Sequence, residues 1–232
     1  MRLVFLHALP FGGEMWADEV GNFGPDALAP TLYDEGHSLT EWATAALRLI
    51  GGEPCIAIGC SVGGSCAIEL ARLAPDQVAG LVIVGGKAGV RPEPALRDAA
   101  ITHVEAHGID SAWEELWRPL LAPDSPAAVL DAAHQLARSI QPPSLVRGLR
   151  VFHDRRDNTE FAAGWTRPLV GICGAHDRSP TPATVEALAT GPNRRFHLVE
   201  HSGHYVNLEQ PAVFRSILSE SIEWITVDAQ TC

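Results

Sequence analysis

Short apolar runs that alternate with helical patterns are the feature that most restricts the fold of this chain. Runs without polar alternation are typical of strands buried on both faces, as in a parallel sheet. Five such runs occur: LVFLHAL, CIAIGC, GLVIVGG, LVGICGA and, more weakly, RFHLVE. The segments between them place apolar residues on one helical face, as in Ala43–Ile50. The alternation predicts an α/β fold with a doubly wound, mainly parallel sheet and right-handed crossovers.

One long stretch breaks this alternation. From about residue 87 to residue 165 no strong strand run appears, and helical segments are separated by prolines. The dipeptide Pro142–Pro143 is expected to separate the last two helices. We call residues 87–165 the helical insertion, and we predict that it interrupts a core formed by residues 1–86 and 166–232.

The charge balance excludes several classes of partner. The 232 residues are 46% hydrophobic and 19% charged, which is typical of a globular protein. Their 17 basic and 28 acidic residues give a net charge of −11. Nucleic acids and anionic membranes bind clustered lysine and arginine, so we expect neither as a partner. A small-molecule substrate is the partner we expect, and the sequence leaves the oligomeric state open.

The sequence also carries signals about the cellular compartment. No apolar stretch reaches the roughly 18 residues that a membrane span requires. The N-terminal segment MRLVFLHALPFGG lacks the long apolar region and cleavage site of a signal peptide, and we interpret it as a strand. An odd, scattered set of cysteines indicates reduced thiols rather than a disulfide framework. The five are Cys55, Cys60, Cys66, Cys173 and Cys232. We therefore expect a cytoplasmic protein.

A serine flanked by glycines stands where a strand pattern meets a helical pattern. In the segment Gly59-Cys60-Ser61-Val62-Gly63 the glycines lie two residues before and two after Ser61. A sharp strand-to-helix turn needs small residues at these positions, because the two elements nearly collide there. The turn would present the hydroxyl at the carboxyl edge of the sheet, where ligands bind in open α/β folds. We call residues 59–63 the Ser61 turn.

A serine is a poor nucleophile without a base, and two further motifs supply candidates. Asp177 follows the run LVGICGA, and His204 lies in SGHYVNLEQPAVF after the last run. The chain order Ser61, Asp177, His204, each after a strand, matches the order in α/β-hydrolases. With HALP, GCSVGG and GAHD in their expected contexts, the sequence resembles the α/β-hydrolase superfamily over nearly its whole length.

The resemblance implies a role for each matching residue. Ser61 would attack an acyl carbon, His204 would transfer the proton, and Asp177 would orient the imidazole. The backbone N–H groups of Val62 and of Leu9, in the HALP loop, would form the oxyanion hole. The fold implied is the α/β-hydrolase fold, with a helical lid formed by the helical insertion.

Other residues of the sequence compete for these roles. His201 competes with His204 for the base, but the family's Gly-His pair favours His204. His7 is expected to brace the HALP loop rather than to transfer protons. The pairs Cys173-x-x-His176 and His201-x-x-His204 have metal-ligand spacing, yet both fall inside the hydrolase motifs, so we expect no metal and no cofactor.

The chain also departs from the family. Relatives often have a glycine where this chain has Ala8, and a positive φ there would strain an alanine. The antiparallel strands that often open this fold are absent, so a sheet of about six strands is expected.

The triad would fix the reaction class but not the substrate. We predict hydrolysis of a small carboxylic ester or lactone, including methyl esters and thioesters. Alternatives are a carbon–carbon bond hydrolase of dienoic ketones, a cofactor-free perhydrolase or lyase, and a small-molecule receptor that retains the triad. Four aromatic residues of the helical insertion are candidates for the substrate pocket: Trp113, Trp117, Phe152 and Phe161.

Overall fold

A six-stranded parallel sheet forms the centre of the protein. The computed structural model describes residues 1–231, and the strand order is β2-β1-β3-β4-β5-β6. Every neighbouring pair of strands is parallel, as predicted. The strands are β1 (Arg2–Leu6), β2 (Ala27–Leu28), β3 (Cys55–Cys60), β4 (Val78–Val84), β5 (Leu169–Gly174) and β6 (Arg194–Val199).

Helices cover both faces of this sheet and fill the segments between strands. In chain order they are α1 (Ala17–Phe23), α2 (Leu39–Ile50), α3 (Val62–Leu73), α4 (Pro94–Ala112), α5 (Ala127–Arg138), α6 (Pro142–His153), α7 (Thr159–Gly164), α8 (Pro182–Leu188), α9 (Val206–Glu209) and α10 (Pro211–Thr231). Short 3-10 turns span Gly13–Trp16, Gly24–Asp26 and Arg118–Leu120, and a π-helical segment spans Trp113–Trp117.

Local sequence explains where key helices begin and end. Helix α2 starts after Ser38, whose hydroxyl accepts the N–H of Glu41, and ends at Gly51 with φ 69°. Helix α6 starts at Pro142, whose missing N–H is not needed in a first turn. The prolines therefore mark a helix boundary as predicted, but they separate α5 from α6, and α7 is a further helix of the insertion that was not predicted. Gly108, with φ 73°, interrupts α4 near its C-terminal end.

The helical insertion lies between β4 and β5. Helices α4 to α7 and the turns between them occupy this stretch, and no strand lies there among the described residues. Its division from the core at residues 87 and 165 stays a prediction.

The core is a single apolar cluster centred on the sheet. Strands β3 and β4 are buried along their whole length, which explains their continuous apolar sequences. Helix α3 is buried at ten of its twelve positions, because it packs between the sheet and α2. The Ser61 turn is therefore mounted on two rigid elements.

Four cysteines are free and buried, which agrees with the interpretation as reduced thiols. They are Cys55, Cys60, Cys66 and Cys173, while Cys232 lies outside the described residues. Within residues 1–231, no helix combines the length and the apolarity that crossing a membrane would require.

Candidate active site

The Ser61 turn has the strained geometry that its sequence predicts. Ser61 has φ 56° and ψ −117°, a conformation that residues with a side chain rarely adopt. A side chain at Gly59 would overlap the backbone of Gly63, and one at Gly63 would overlap the carbonyl of Leu6. The Ser61 N–H donates to the Val84 carbonyl at 2.9 Å, which fixes the turn to β4. The half-exposed serine thus stands at the N-terminus of α3, where negative charge is favoured.

Asp177 and His204 meet at the same edge of the sheet. Asp177 follows β5 and His204 follows β6, and the distance from His204 Nδ1 to Asp177 Oδ2 is 2.8 Å. Both side chains are almost fully buried. The second carboxylate oxygen accepts the Ser179 N–H at 2.9 Å, so the carboxylate has a fixed orientation. Because Nδ1 faces the carboxylate, Nε2 is the ring atom left for proton transfer.

Two glycines after β4 bring this pair close to the Ser61 turn. A Cβ on Gly85 would lie 2.9 Å from Asp177 Oδ2 and 3.0 Å from His204 Nδ1. A Cβ on Gly86 would lie 3.5 Å from the Ser61 carbonyl oxygen. The adjacent glycines therefore contact the acid–base pair on one side and the serine backbone on the other. At Gly85, where φ is also 51°, a side chain would lie too close to the Asp177–His204 pair, whereas at Gly86 it would be in ordinary van der Waals contact with the serine backbone.

The competing histidine lies elsewhere. His201 is 74% exposed and its Nδ1 lies 2.9 Å from Asp124 Oδ2 at the surface. The structure thus brings His204, and not His201, to Asp177.

The two residues predicted for the oxyanion hole are Val62, which directly follows Ser61, and Leu9, in the loop after β1. Val62 begins α3, and the start of the Leu9 loop runs close to this helix, because a Cβ on Gly63 would lie 2.7 Å from the His7 carbonyl oxygen. Among the residues that the structure describes, neither N–H group has an acceptor. Ala8 is not among the described residues with positive φ, so the strain expected at this alanine is not found.

His7 braces this loop from inside the core. Its Nε2 accepts the Leu32 N–H at 3.0 Å, so the proton resides on Nδ1, which lies 3.3 Å from the Ala8 carbonyl. Burial lowers the pKa of His7 to about 4, which keeps the ring neutral. Two phenols complete the bracing, because Tyr205 donates to the Leu9 carbonyl at 2.9 Å and Tyr33 to the Phe11 carbonyl at 2.8 Å.

Glu209 is a residue of this region that the sequence reasoning missed. Its carboxylate is buried and has no cation partner in the described chain. It accepts the N–H of Gly203 at 3.0 Å and that of Tyr205 at 3.1 Å, the residues on either side of His204. It also accepts the N–H of Ala122 at 2.7 Å and the hydroxyl of Ser125 at 2.9 Å.

These bonds join the histidine loop to the helical insertion. The His204 N–H donates to the Leu120 carbonyl at 2.8 Å, and no space remains for a side chain at Gly203, which packs on Ala122. Glu209 thereby fixes both the loop that carries His204 and the segment over it. The signal in the sequence was a carboxylate five residues after His204 in an otherwise apolar stretch.

The four aromatic candidates of the helical insertion lie in different places. Trp113 is buried with its ring 6.3 Å from that of Phe11, next to the Leu9 loop, and buried Trp117 ends the same π-helical segment. Phe152 shares a face of α6 with Gly148, which packs on Leu9, and carries the Arg155 guanidinium over its ring.

The structure does not bring Phe161 to this site. Its ring packs on Trp165 beside Pro75 and Arg167, just before the starts of β4 and β5. That position is the amino edge of the sheet, opposite the Ser61 turn. Helix α7 turns its aromatic residue there because the chain is returning to begin β5.

Across the described part of the chain, no three His, Cys, Asp or Glu side chains stand together in a way that could hold an ion.

The chain is similar to known proteins in both sequence and fold. The model of a family described as the alpha/beta hydrolase family matches residues 3–217. Esterase Rv0045c of Mycobacterium tuberculosis is 28% identical over 252 aligned residues, covering 94% of this chain and 81% of that protein.

Two solved structures share the fold. A thermophilic esterase from Thermogutta terrifontis superposes with a TM-score of 0.88 at 22% identity, over 97% of this chain and 90% of the other. The enol-lactonase from Burkholderia xenovorans LB400 gives a TM-score of 0.82 at 18% identity, over 96% and 91%.

Proposed function

Because the chain belongs to the alpha/beta hydrolase family and is a hydrolase of the esterase type, we propose that it cleaves a small carboxylic ester or lactone at Ser61. The observation that carries the proposal is the strained Ser61 turn beside the buried pair of His204 and Asp177. A strained serine at a helix N-terminus and an oriented imidazole at the same sheet edge are the parts that acyl transfer requires.

The mechanism uses each group in turn. The Ser61 oxygen attacks the carbonyl carbon while His204 Nε2 accepts the hydroxyl proton. Asp177 stabilises the imidazolium, and the N–H groups of Leu9 and Val62 hold the oxyanion. The intermediate collapses to an acyl-enzyme as His204 returns the proton to the leaving alcohol. Water then attacks the acyl-enzyme by the same route, releasing the carboxylic acid and restoring Ser61.

The surroundings favour a compact, largely apolar acyl group. Leu9 is wedged against Gly148 of α6, and Trp113 packs on Phe11 at the other end of the loop. We propose that the helical insertion acts as a lid, with Trp113 and Phe152 facing the substrate. The named relative in Mycobacterium tuberculosis, an esterase, supports the same class of substrate.

A substrate panel tests the proposal. Initial rates would be measured on p-nitrophenyl esters of increasing acyl length, methyl esters, lactones, thioesters and dienoic ketones, with Ser61→Ala as the matched blank. We expect short esters or lactones to be hydrolysed by the wild type only. Faster cleavage of dienoic ketones would indicate a carbon–carbon bond hydrolase. Saturable binding of these compounds without turnover would instead indicate a receptor.

A further inference from the structure

A cavity of about 760 Å³ opens away from the residues assigned to catalysis. Its walls come from the linker after β4, from α7 and α8, and from the loop before β6. Neither Ser61 nor Asp177 nor His204 lines it. Six of its sixteen lining residues have aliphatic side chains: Ala88, Val90, Ala162, Ala163, Ala187 and Leu188.

Lys87 lines this cavity. It is the one lysine in the sequence, because the other residues counted as Lys or Arg are all arginines. Its side chain is half-buried, and in the described chain its ammonium group has no ion pair or hydrogen bond. Burial lowers the pKa of Lys87, and the nearby Arg155 lowers it further. Partial burial of an ammonium group carries a desolvation cost, which a bound anion would offset.

Other cations collect at the same place. Arg91 and Arg194 line the cavity, and Arg194 donates only to backbone carbonyls, among them those of Leu188 and Trp165. Arg155 is buried behind them and likewise donates to carbonyl oxygens, with its Nε unpartnered.

Few carboxylates offset this charge. Asp157 accepts the N–H groups of Thr159 at 2.8 Å and Val90 at 3.3 Å rather than a cation, and Glu93 acts on Lys87 only through space. Three cations and one carboxylate thus line the cavity, with Arg155 and Glu93 close by, in a chain of net charge −11. Such a local excess of positive charge concentrates anions.

We propose that this cavity binds a small organic anion. Its carboxylate or phosphate group would bind Lys87 and Arg91, and its apolar part would lie on the alanine-rich wall of α7 and α8. The guanidinium and ammonium groups both form charge-assisted hydrogen bonds with such oxygens. This inference does not depend on the proposed function, because the cavity shares no lining residue with the catalytic site.

The single lysine makes the proposal directly testable with pyridoxal 5′-phosphate. Its aldehyde condenses with an amine to an imine and water, and borohydride then reduces the imine to a stable amine. Intact mass and peptide mapping would separate Lys87 from the N-terminal amine. We expect an adduct at Lys87 in the wild type and no adduct at position 87 in Lys87→Arg. Arg91→Gln should raise the reagent concentration for half-labelling about tenfold, whereas Arg48→Gln, an equal charge loss on α2, should not.

Protection of Lys87 from labelling by competing anions identifies the chemical class of the bound anion. Protection by inorganic phosphate alone would indicate a phosphate ester, and protection by benzoate or butyrate would indicate a carboxylate. Thermal unfolding of each variant checks that it is folded. The proposal is overturned if Lys87 reacts no more readily than the N-terminal amine, or if neither anion protects it.

Discussion

The imidazole of His204 and the carboxylate of Asp177 meet at 2.8 Å in a nearly solvent-free setting. His204 follows β6 and Asp177 follows β5, so two adjacent parallel strands place both side chains at the same edge of the sheet. This arrangement fixes the tautomer of His204, and its consequences can be measured.

The first prediction concerns the contribution of the Asp177 charge to the rate of hydrolysis. Asp177→Asn keeps the shape of the side chain but removes the charge that stabilises the imidazolium. We expect kcat for p-nitrophenyl butyrate to fall about 10,000-fold with little change in KM. His201→Ala, which removes only an exposed pair with Asp124, serves as the control and should retain the wild-type rate. Equal losses in both variants would contradict the assignment.

Gly85 tests how closely the acid–base pair is packed. Alanine at this position, with φ 51°, would press on both Asp177 Oδ2 and His204 Nδ1. We expect kcat to fall about 100-fold, since small displacements of catalytic groups have effects of that size. Gly164→Ala provides the matched control, because a Cβ there meets nothing within 4 Å. Activity of Gly85→Ala equal to that of Gly164→Ala would show that the contact is unimportant.

Glu209 connects the histidine loop to the helical insertion, and Glu209→Gln tests that connection. The amide replaces an acceptor oxygen by a donor, so at least one buried N–H near Gly203, Tyr205 or Ala122 loses its partner. We expect a loss of about 1–3 kcal/mol in unfolding free energy together with a lower kcat. Ser125→Ala removes only one hydroxyl donor and should cost less on both measures. An unchanged kcat in a destabilised Glu209→Gln protein would limit this residue to a purely structural role.

Glu19 predicts a pH dependence of stability. Burial raises its pKa from 4.5 to about 7, and one of its carboxylate oxygens has no partner. The folded protein therefore holds this proton more tightly than the unfolded chain, and the stability linked to Glu19 is lost as pH rises from 4.5 to 7.

The substitution Glu19→Gln should remove this pH dependence of the unfolding free energy, because glutamine has the same shape but does not titrate. In urea unfolding, Glu19→Gln should equal the wild type below about pH 4.5 and exceed it above about pH 7 by up to about 3 kcal/mol. A difference between the two proteins that does not vary with pH would rule out titration of Glu19 as its cause.

The sequence was sufficient for five of the six strands and for the order of the candidate triad, whereas the two-residue strand β2 has no apolar run of its own. Buried parallel strands are continuous apolar runs, and each candidate residue follows such a run, so position in the chain predicts position at the carboxyl edge. The glycines around Ser61 were equally readable, because a close approach of backbones leaves glycine as the residue that fits.

Other features depend on contacts between distant parts of the chain. The hydrogen-bond donors to Glu209 include Ala122 and Ser125, which lie more than 80 residues away in the chain. No local sequence pattern predicts that pairing. Phe161 resembles the other aromatic residues of the helical insertion in sequence, yet α7 carries it to the amino edge of the sheet. Side-chain type predicts burial, but only the path of the backbone decides which edge a residue reaches.

The most direct test of the account is the reactivity of Ser61 toward a fluorophosphonate, read by intact mass. Wild-type protein should gain one adduct, and Ser61→Ala, with unchanged thermal unfolding, should gain none. His204→Ala should also resist labelling, because the hydroxyl would lack its base. Equal labelling of Ser61→Ala, or a folded wild-type protein that remains unlabelled, would contradict the assignment of Ser61 as an activated nucleophile.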